Sequence, residues 1–369
     1  MPEKLSLKNE EKAIFALRSL YESYGYSRYK MSKFEEYDLY ANNKDFLISD
    51  NIITFTDMSG KLMALKPDVT LSIIKNNRDK VNPVSKVYYN ENVYRVSKST
   101  ESFKEIMQVG LEALGEVDDY CILEVLQLAA KSLTTISERA VLDISHLGLI
   151  YEIIDPLDIH TSSKLEILKL IGEKNPHELT SICAGLGIEN ETSQKLKALI
   201  SIHGKPAEAI PALKSLLGES EALLQLERIL SAFGEAADII NIDFSAVPDT
   251  KYYNGFVFKG YIEGIPESIL SGGQYDRLMK KMKINEKAIG FAVYLDMLEA
   301  LETEDEPFDL DAVLIYDDSC SLSSLQKAIN SIVALGKTVK AQKEKPQKIK
   351  YKELLKLTEK GVEILENHA

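Results

Sequence analysis

Arg95 stands in Asn92-Val93-Tyr94-Arg95-Val96, and Gln108 and Glu112 stand within Ile106 to Leu114, in stretches that are β-rich. Buried there, a guanidinium, an amide and a carboxylate must find hydrogen-bond partners, either one another in a satisfied internal network or a polar ligand. Arginine presents a planar fork that binds oxyanions bidentately and never deprotonates. A polar set that depends on such partners rejects apolar analogues of its ligand. Other features favour blander readings. His146, His160, His177, His203 and His368 are scattered without metal-ligand spacing, and Cys121, Cys183 and Cys320 are too few and too far apart for a disulfide framework or a zinc site. The Gly272-Gly273 pair lacks a surrounding Gly-x-x-x-x-Gly-Lys pattern and reads as a turn, not a phosphate cradle. No metal or cofactor is expected.

The elements that must position these groups follow from periodicity. Residues 9 to 25 place Ile14, Leu17, Leu20, Tyr21 and Tyr24 at helical spacing before Gly25. Ile52 to Thr56 and Leu62 to Leu65 flank the turn formers Asp57-Met58-Ser59-Gly60 and predict a hairpin. Lys86 to Asn90, Asn92 to Val96 and Ile106 to Leu114 predict antiparallel sheet. From Asp119 to Gly234, Ala, Leu, Ile, Glu and Lys dominate at helical spacing, which predicts a helical insertion over about 119–240. Strand character returns at Val257 to Ile262, and a helix is expected over Phe291 to Leu301. After the acidic linker Glu302 to Pro307, the last segment reads as β-α-β-α-β, with its second helix near Tyr351 to Lys360.

Composition restricts the function classes. The chain has 369 residues, 45% hydrophobic and 27% charged, enough for a sizeable core and more than one domain. No apolar run approaches the ~20 residues that span a bilayer. The N-terminus shows no apolar signal core, so a cytoplasmic location and no membrane partner are expected. Fifty-seven acidic against 44 basic residues leave a net charge of −13, which disfavours nucleic acid as a partner. The basic stretch Lys337 to Lys352 is the one segment suited to an anion, and most such runs are solvated loops.

Five segments in order carry a family resemblance: Phe55 to Thr70, Asn92 to Arg95, Glu105 to Gly115, Tyr252 to Phe258, and Leu270 to Leu278. Together they resemble the histidyl-tRNA synthetases and their non-catalytic relatives over roughly residues 10 to 301. The resemblance implies an α+β fold: a class II aminoacyl-tRNA synthetase-like antiparallel sheet flanked by helices. Its core would span 1–305, with a small truncated anticodon-binding-like α/β domain at 306–369. It also implies a histidine pocket, in which Asp68 and Thr70 take the α-ammonium group, Gln108 and Arg95 the α-carboxylate, and Glu112 with Tyr253 the two imidazole nitrogens, with Tyr252 and Tyr275 nearby.

The nucleotide half of the resemblance is broken. Adenylate formation needs cations on the α-phosphate and the departing pyrophosphate. By resemblance, the sequence Lys287 to Leu298 is the last signature of the family, and it carries Met297 where the arginine belongs. Ser97 replaces an acid, and Ala246 to Lys251 before the tyrosines contains no arginine. The relatives that share these losses are the regulatory subunits of ATP phosphoribosyltransferase. That resemblance implies a non-catalytic subunit that binds free histidine and forms a homodimer through its core. It implies assembly with the short-form catalytic subunit, in a hetero-octamer, at the first step of histidine biosynthesis. A divergent histidyl-tRNA synthetase is the alternative.

Overall fold

A computed structural model of the chain describes residues 8–44, 47, 52–76, 83–97, 100–246, 253–301 and 308–368. One compact unit spans Glu10–Leu301, and the C-terminal elements form a second. The first opens with α1 (Asn9–Ser23), β1 (Ser27–Arg28), β2 (Phe34–Glu36) and α2 (Tyr37–Ala41). The expected hairpin is β3 (Thr54–Thr56) and β4 (Leu62–Leu65), with Asp57 Oδ1 accepting from Ser59 N and Lys61 N across the turn. Next come α3 (Thr70–Asn76) and two long strands, β5 (Val84–Val96) and β6 (Phe103–Gly115), paired along their whole length from Val84 opposite Gly115 to Val96 opposite Phe103.

The insertion is not wholly helical. It holds α4 (Asp119–Ile136), then β7 (Ala140–His146), then α5 (Leu147–Ile154), α6 (Thr161–Gly172), α7 (Pro176–Gly185), α8 (Asn190–Ser201), β8 (His203–Gly204), α9 (Pro206–Leu217) and α10 (Glu221–Ser231). Strand β7 enters the main sheet because Leu142 and Ile144 alternate toward the core, a period of two inside a region otherwise of helical period. The unit closes with β9 (Ile240–Asp243), β10 (Phe256–Ile262), β11 (Leu270–Gln274), α11 (Asp276–Lys281) and β12 (Lys287–Tyr294). The helix expected over Phe291 to Leu301 is therefore the end of a strand followed by a 3-10 turn, Leu295–Ala300. Ile289, Phe291 and Val293 are buried in the core while Ala288, Gly290 and Ala292 face the other way, and this two-residue alternation overrides the helical reading.

The resulting nine-stranded sheet has the order β1-β5-β6-β12-β11-β10-β7-β9-β8. Every ladder between β5 and β7 is antiparallel, and the parallel pairs β1 with β5 and β7 with β9 lie toward its margins. One face packs on α1 and α4, where Leu17, Tyr21, Val125, Leu126 and Leu133 meet Val109, Leu111 and Phe258. Asp118 fixes the start of α4 by accepting from Cys121 N at 2.9 Å. His146, one of the scattered histidines, is a core residue: it caps α5 by accepting from Gly148 N, and burial pushes it down to about 4.

The second unit comprises β13 (Leu310–Ile315), α12 (Leu322–Ala334), β14 (Val339–Gln342), β15 (Tyr351–Thr358) and β16 (Gly361–Asn367), in the sheet order β14-β13-β15-β16. The segment expected as a second helix is strand β15. Its Lys and Glu content favours helix, but pairing on both edges and burial of Leu354, Leu355 and Leu357 decide the outcome. In the basic stretch, Lys337, Lys343, Lys345 and Lys352 pair with Glu353, Asp318, Glu366 and Asp311 of the same unit. Those cations are engaged internally.

Candidate functional site: a polar pocket on the open face of the sheet

Alternation along β6 decides what reaches the site. Val109, Leu111 and Ala113 point into the helical core, so Gln108, Gly110 and Glu112 point to the opposite face. That face floors a pocket of about 600 Å³. Its walls bring Asp68 and Thr70 from the start of α3 together with Arg95 from β5, Gln108 and Glu112 from β6, Tyr253 from the approach to β10, and Tyr275 from the turn after β11. Tyr252, the remaining expected member, lies outside the described residues, as do residues 247–251 before it.

Glu112 is 2% exposed and is held at both oxygens: Thr70 Oγ1 donates to Oε1 at 2.8 Å, and Tyr275 Oη donates to Oε2 at 2.6 Å. Burial pushes its carboxyl up to about 8, against the pull of the two hydroxyls in the other direction. Asp68 accepts from Leu71 N at 2.9 Å, and burial raises its pKa in spite of that bond and the nearby Arg95 charge. Arg95 is anchored by Nε donating to the Pro67 carbonyl at 3.2 Å. Gln108 is different. It is 4% exposed, yet its amide makes no hydrogen bond with any described residue. The internal network thus satisfies Glu112 and leaves an amide directed at the cavity.

Gly290 lies opposite Glu112 on β12, and a Cβ there would stand 1.7 Å from Glu112 Oε2 and 2.5 Å from the Leu111 carbonyl. Only glycine leaves room for the carboxylate. Gly290→Ala is expected to cost about 1 to 3 kcal/mol of stability by overpacking, measured by denaturant unfolding, and to displace Glu112 from its two hydroxyls. A variant as stable as the parent would show that the strand yields without cost.

Several lining residues had no assigned place in the sequence reading: Tyr89, Lys104, Lys259, Ser271 and Tyr294. Strand parity identifies most of them. Tyr89 pairs with Gly110, Tyr294 with Gln108, and Lys259 with Ser271, so all share the face that carries Glu112. Met297 lines the same pocket, placing a thioether in its wall. Among the described residues, no group of His, Cys, Asp or Glu is arranged to hold a metal ion, and no helix is long and apolar enough to cross a membrane.

The sequence profile of the histidyl-tRNA synthetases matches residues 4–298. The chain belongs to the histidyl-tRNA synthetase family. Within reach of this family member is the ATP phosphoribosyltransferase regulatory subunit of Oceanobacillus iheyensis, 24% identical over 345 residues, which cover 90% of this chain and 85% of that protein. Among solved structures, an ATP phosphoribosyltransferase regulatory subunit/histidyl-tRNA synthetase from Bacillus halodurans has a TM-score of 0.78 at 21% identity, over 94% of this chain and 93% of the other. The ATP phosphoribosyl transferase complex from Thermotoga maritima contains a chain with a TM-score of 0.62 at 21% identity, over 78% of this chain and 97% of that one. The mixed sheet with its helical cover is the class II synthetase fold of this histidyl-tRNA synthetase family, followed by a smaller C-terminal sheet.

Proposed function

We propose that the chain is the regulatory subunit of an ATP phosphoribosyltransferase, a non-catalytic cytoplasmic protein that binds free histidine and passes its occupancy to a short-form catalytic subunit. The observation that carries this reading is that Gln108 and Glu112, both nearly buried, line one cavity together with Met297. Glu112 and Tyr253 suit the two imidazole nitrogens, since a carboxylate accepts and a hydroxyl does either. Gln108 and Arg95 suit the carboxylate, and Asp68 with Thr70 the ammonium. A thioether offers a triphosphate nothing, and loss of single electrostatic donors typically costs ~100- to 1000-fold in rate. The names carried by the relatives of Oceanobacillus iheyensis and Thermotoga maritima supply the partner: the catalytic chain of the same complex.

In this reading two regulatory chains pair through the core and the full assembly is a hetero-octamer. Histidine inhibits by binding the inactive arrangement more tightly than the active one, because equal affinity shifts nothing. A coupling of ~1 to 3 kcal/mol is of ordinary size.

The purified chain is expected to bind histidine in calorimetry, to co-purify with the short-form catalytic subunit, and to give no histidine-dependent exchange of pyrophosphate into ATP. Exchange above the blank would establish a synthetase instead. Met297→Arg alone is expected to leave exchange absent, since Ser97 still stands in place of an acid.

A further inference from the structure

An α-ammonium group carries three donors, and the pocket's assigned acceptors do not match them. Asp68 is turned back toward α3, where its Oδ1 is engaged by Leu71 N, so one carboxylate oxygen is already committed to the helix start. Thr70 Oγ1 gives its proton to Glu112 and keeps acceptor capacity for one bond. The third acceptor must come from the remaining polar groups of the pocket, where the Gln108 carbonyl oxygen and the unassigned hydroxyl of Tyr89 are the candidates.

Tyr89 is 2% exposed, its ring packed among Val87, Val93 and Tyr275 in the cluster on the open face of the sheet. Its side chain lines the pocket, and its hydroxyl lies over Gly110, where a Cβ would come within 2.5 Å of the oxygen. The absence of that Cβ lets the phenol reach between Gln108 and Glu112, the two ends of the assigned set. Among the described residues the Tyr89 hydroxyl has no hydrogen-bond partner. The oxygen is not among the fully buried polar atoms left without a partner, so it keeps access to the cavity, the side from which a ligand donor can come. Burial first, then the charges of Glu112 and Asp68, raise its pKa well above the ordinary value, so the phenol stays neutral and able to accept.

We propose that the Tyr89 hydroxyl accepts the third hydrogen bond of the ligand's α-ammonium group and so distinguishes a free amino acid from its deaminated analogue. This rests on the reading of the pocket as a histidine site. It assigns the compensation for the short, helix-bound Asp68 to a residue on a different element.

The test is calorimetry on the full chain and on Tyr89→Phe with histidine, histidinol and imidazolepropionate, which lacks the amine. Loss of a bond to a charged group predicts that Tyr89→Phe weakens histidine and histidinol alike by roughly 10- to 100-fold, while imidazolepropionate changes less than about twofold. Thermal stability should be retained, because phenylalanine keeps the ring and removes an oxygen without a protein partner. An equal loss for all three ligands, no loss for histidine, or a markedly less stable variant would each overturn the assignment of Tyr89. If the parent chain binds none of the three, the histidine reading itself falls, which is a separate and recognisable result.

Discussion

Glu112→Ala is expected to weaken histidine binding at least ~100-fold while leaving assembly with the catalytic subunit intact. Among the described residues of the pocket, the Glu112 carboxylate is the only acidic group held at both oxygens by hydroxyl donors, Thr70 at 2.8 Å and Tyr275 at 2.6 Å. Truncation removes the acceptor for an imidazole N–H and leaves two buried hydroxyls without their partner. A buried imidazole N–H left without its acceptor costs about 1 to 3 kcal/mol, and more when charged, which reaches the hundredfold range, while the two unmet hydroxyls lower stability in the free and bound chain alike. The side chain is 2% exposed, so no surface available to another subunit changes. Glu112→Gln separates shape from charge: it preserves the volume and one acceptor, and should fall between parent and alanine variant. Calorimetry measures the affinity and size-exclusion chromatography of the mixed subunits measures assembly. Unchanged histidine affinity in the alanine variant would remove Glu112 from the site.

The residues of the pocket were legible to different degrees, and the reason is geometric. Arg95, Gln108 and Glu112 are polar groups in β-rich stretches, but it was the family resemblance that marked them as site residues, with an internal network as the alternative. Their grouping with Asp68, Thr70, Tyr253 and Tyr275 rested on resemblance, and the structure brings these seven around one cavity. Tyr89 escaped notice because tyrosine is a normal strand residue, and only parity with Arg95 along β5 and register against Gly110 put it on the polar face. Antiparallel sheet was readable around β5 and β6, although Lys86 to Asn90 and Asn92 to Val96, read as two segments, form the single strand β5. Strands β7, β12 and β15 were not readable: Lys, Glu and Leu in β15 suit a helix locally, while β7 lies inside a segment of helical composition and the end of β12 adjoins Leu295 to Leu301, and the neighbouring strands that pair with them make the extended form the better one. The same limit governed Met297. Its type signalled a lost cation, whereas its position in the pocket wall depends on β12 running as a strand to Tyr294 before the 3-10 turn.

Histidine affinity should follow a bell-shaped pH profile, with its maximum between about 6.5 and about 8. Burial pushes Glu112 up to about 8 in the free chain, and the imidazole of free histidine titrates near ~6.5. In the bound state one proton lies between the carboxylate and the imidazole nitrogen it faces. Below ~6.5 both partners arrive protonated, so one proton must leave, and affinity falls about tenfold for each further pH unit. Above about 8 both arrive deprotonated, one proton must be taken up, and affinity falls at a similar rate as pH rises. Between the limits one partner brings a proton and the other does not, and binding exchanges almost none with solvent. The free protein obeys the same linkage. The folded pKa of Glu112 lies above its ordinary value of 4.5, so its contribution to stability is fully present below 4.5 and is lost as pH rises through about 8. Glu112→Gln does not titrate, so its melting temperature should gain on the parent's over that interval, and its histidine affinity should lose the alkaline limb and show a flattened acidic one, because the amide oxygen accepts from imidazole and imidazolium alike. Calorimetry in buffers of differing ionisation enthalpy, from pH 5.5 to 9, reads both limbs and the proton count directly. An affinity independent of pH across that range would mean that the buried carboxyl and the imidazole do not share a proton, and that Glu112 faces some other part of the ligand.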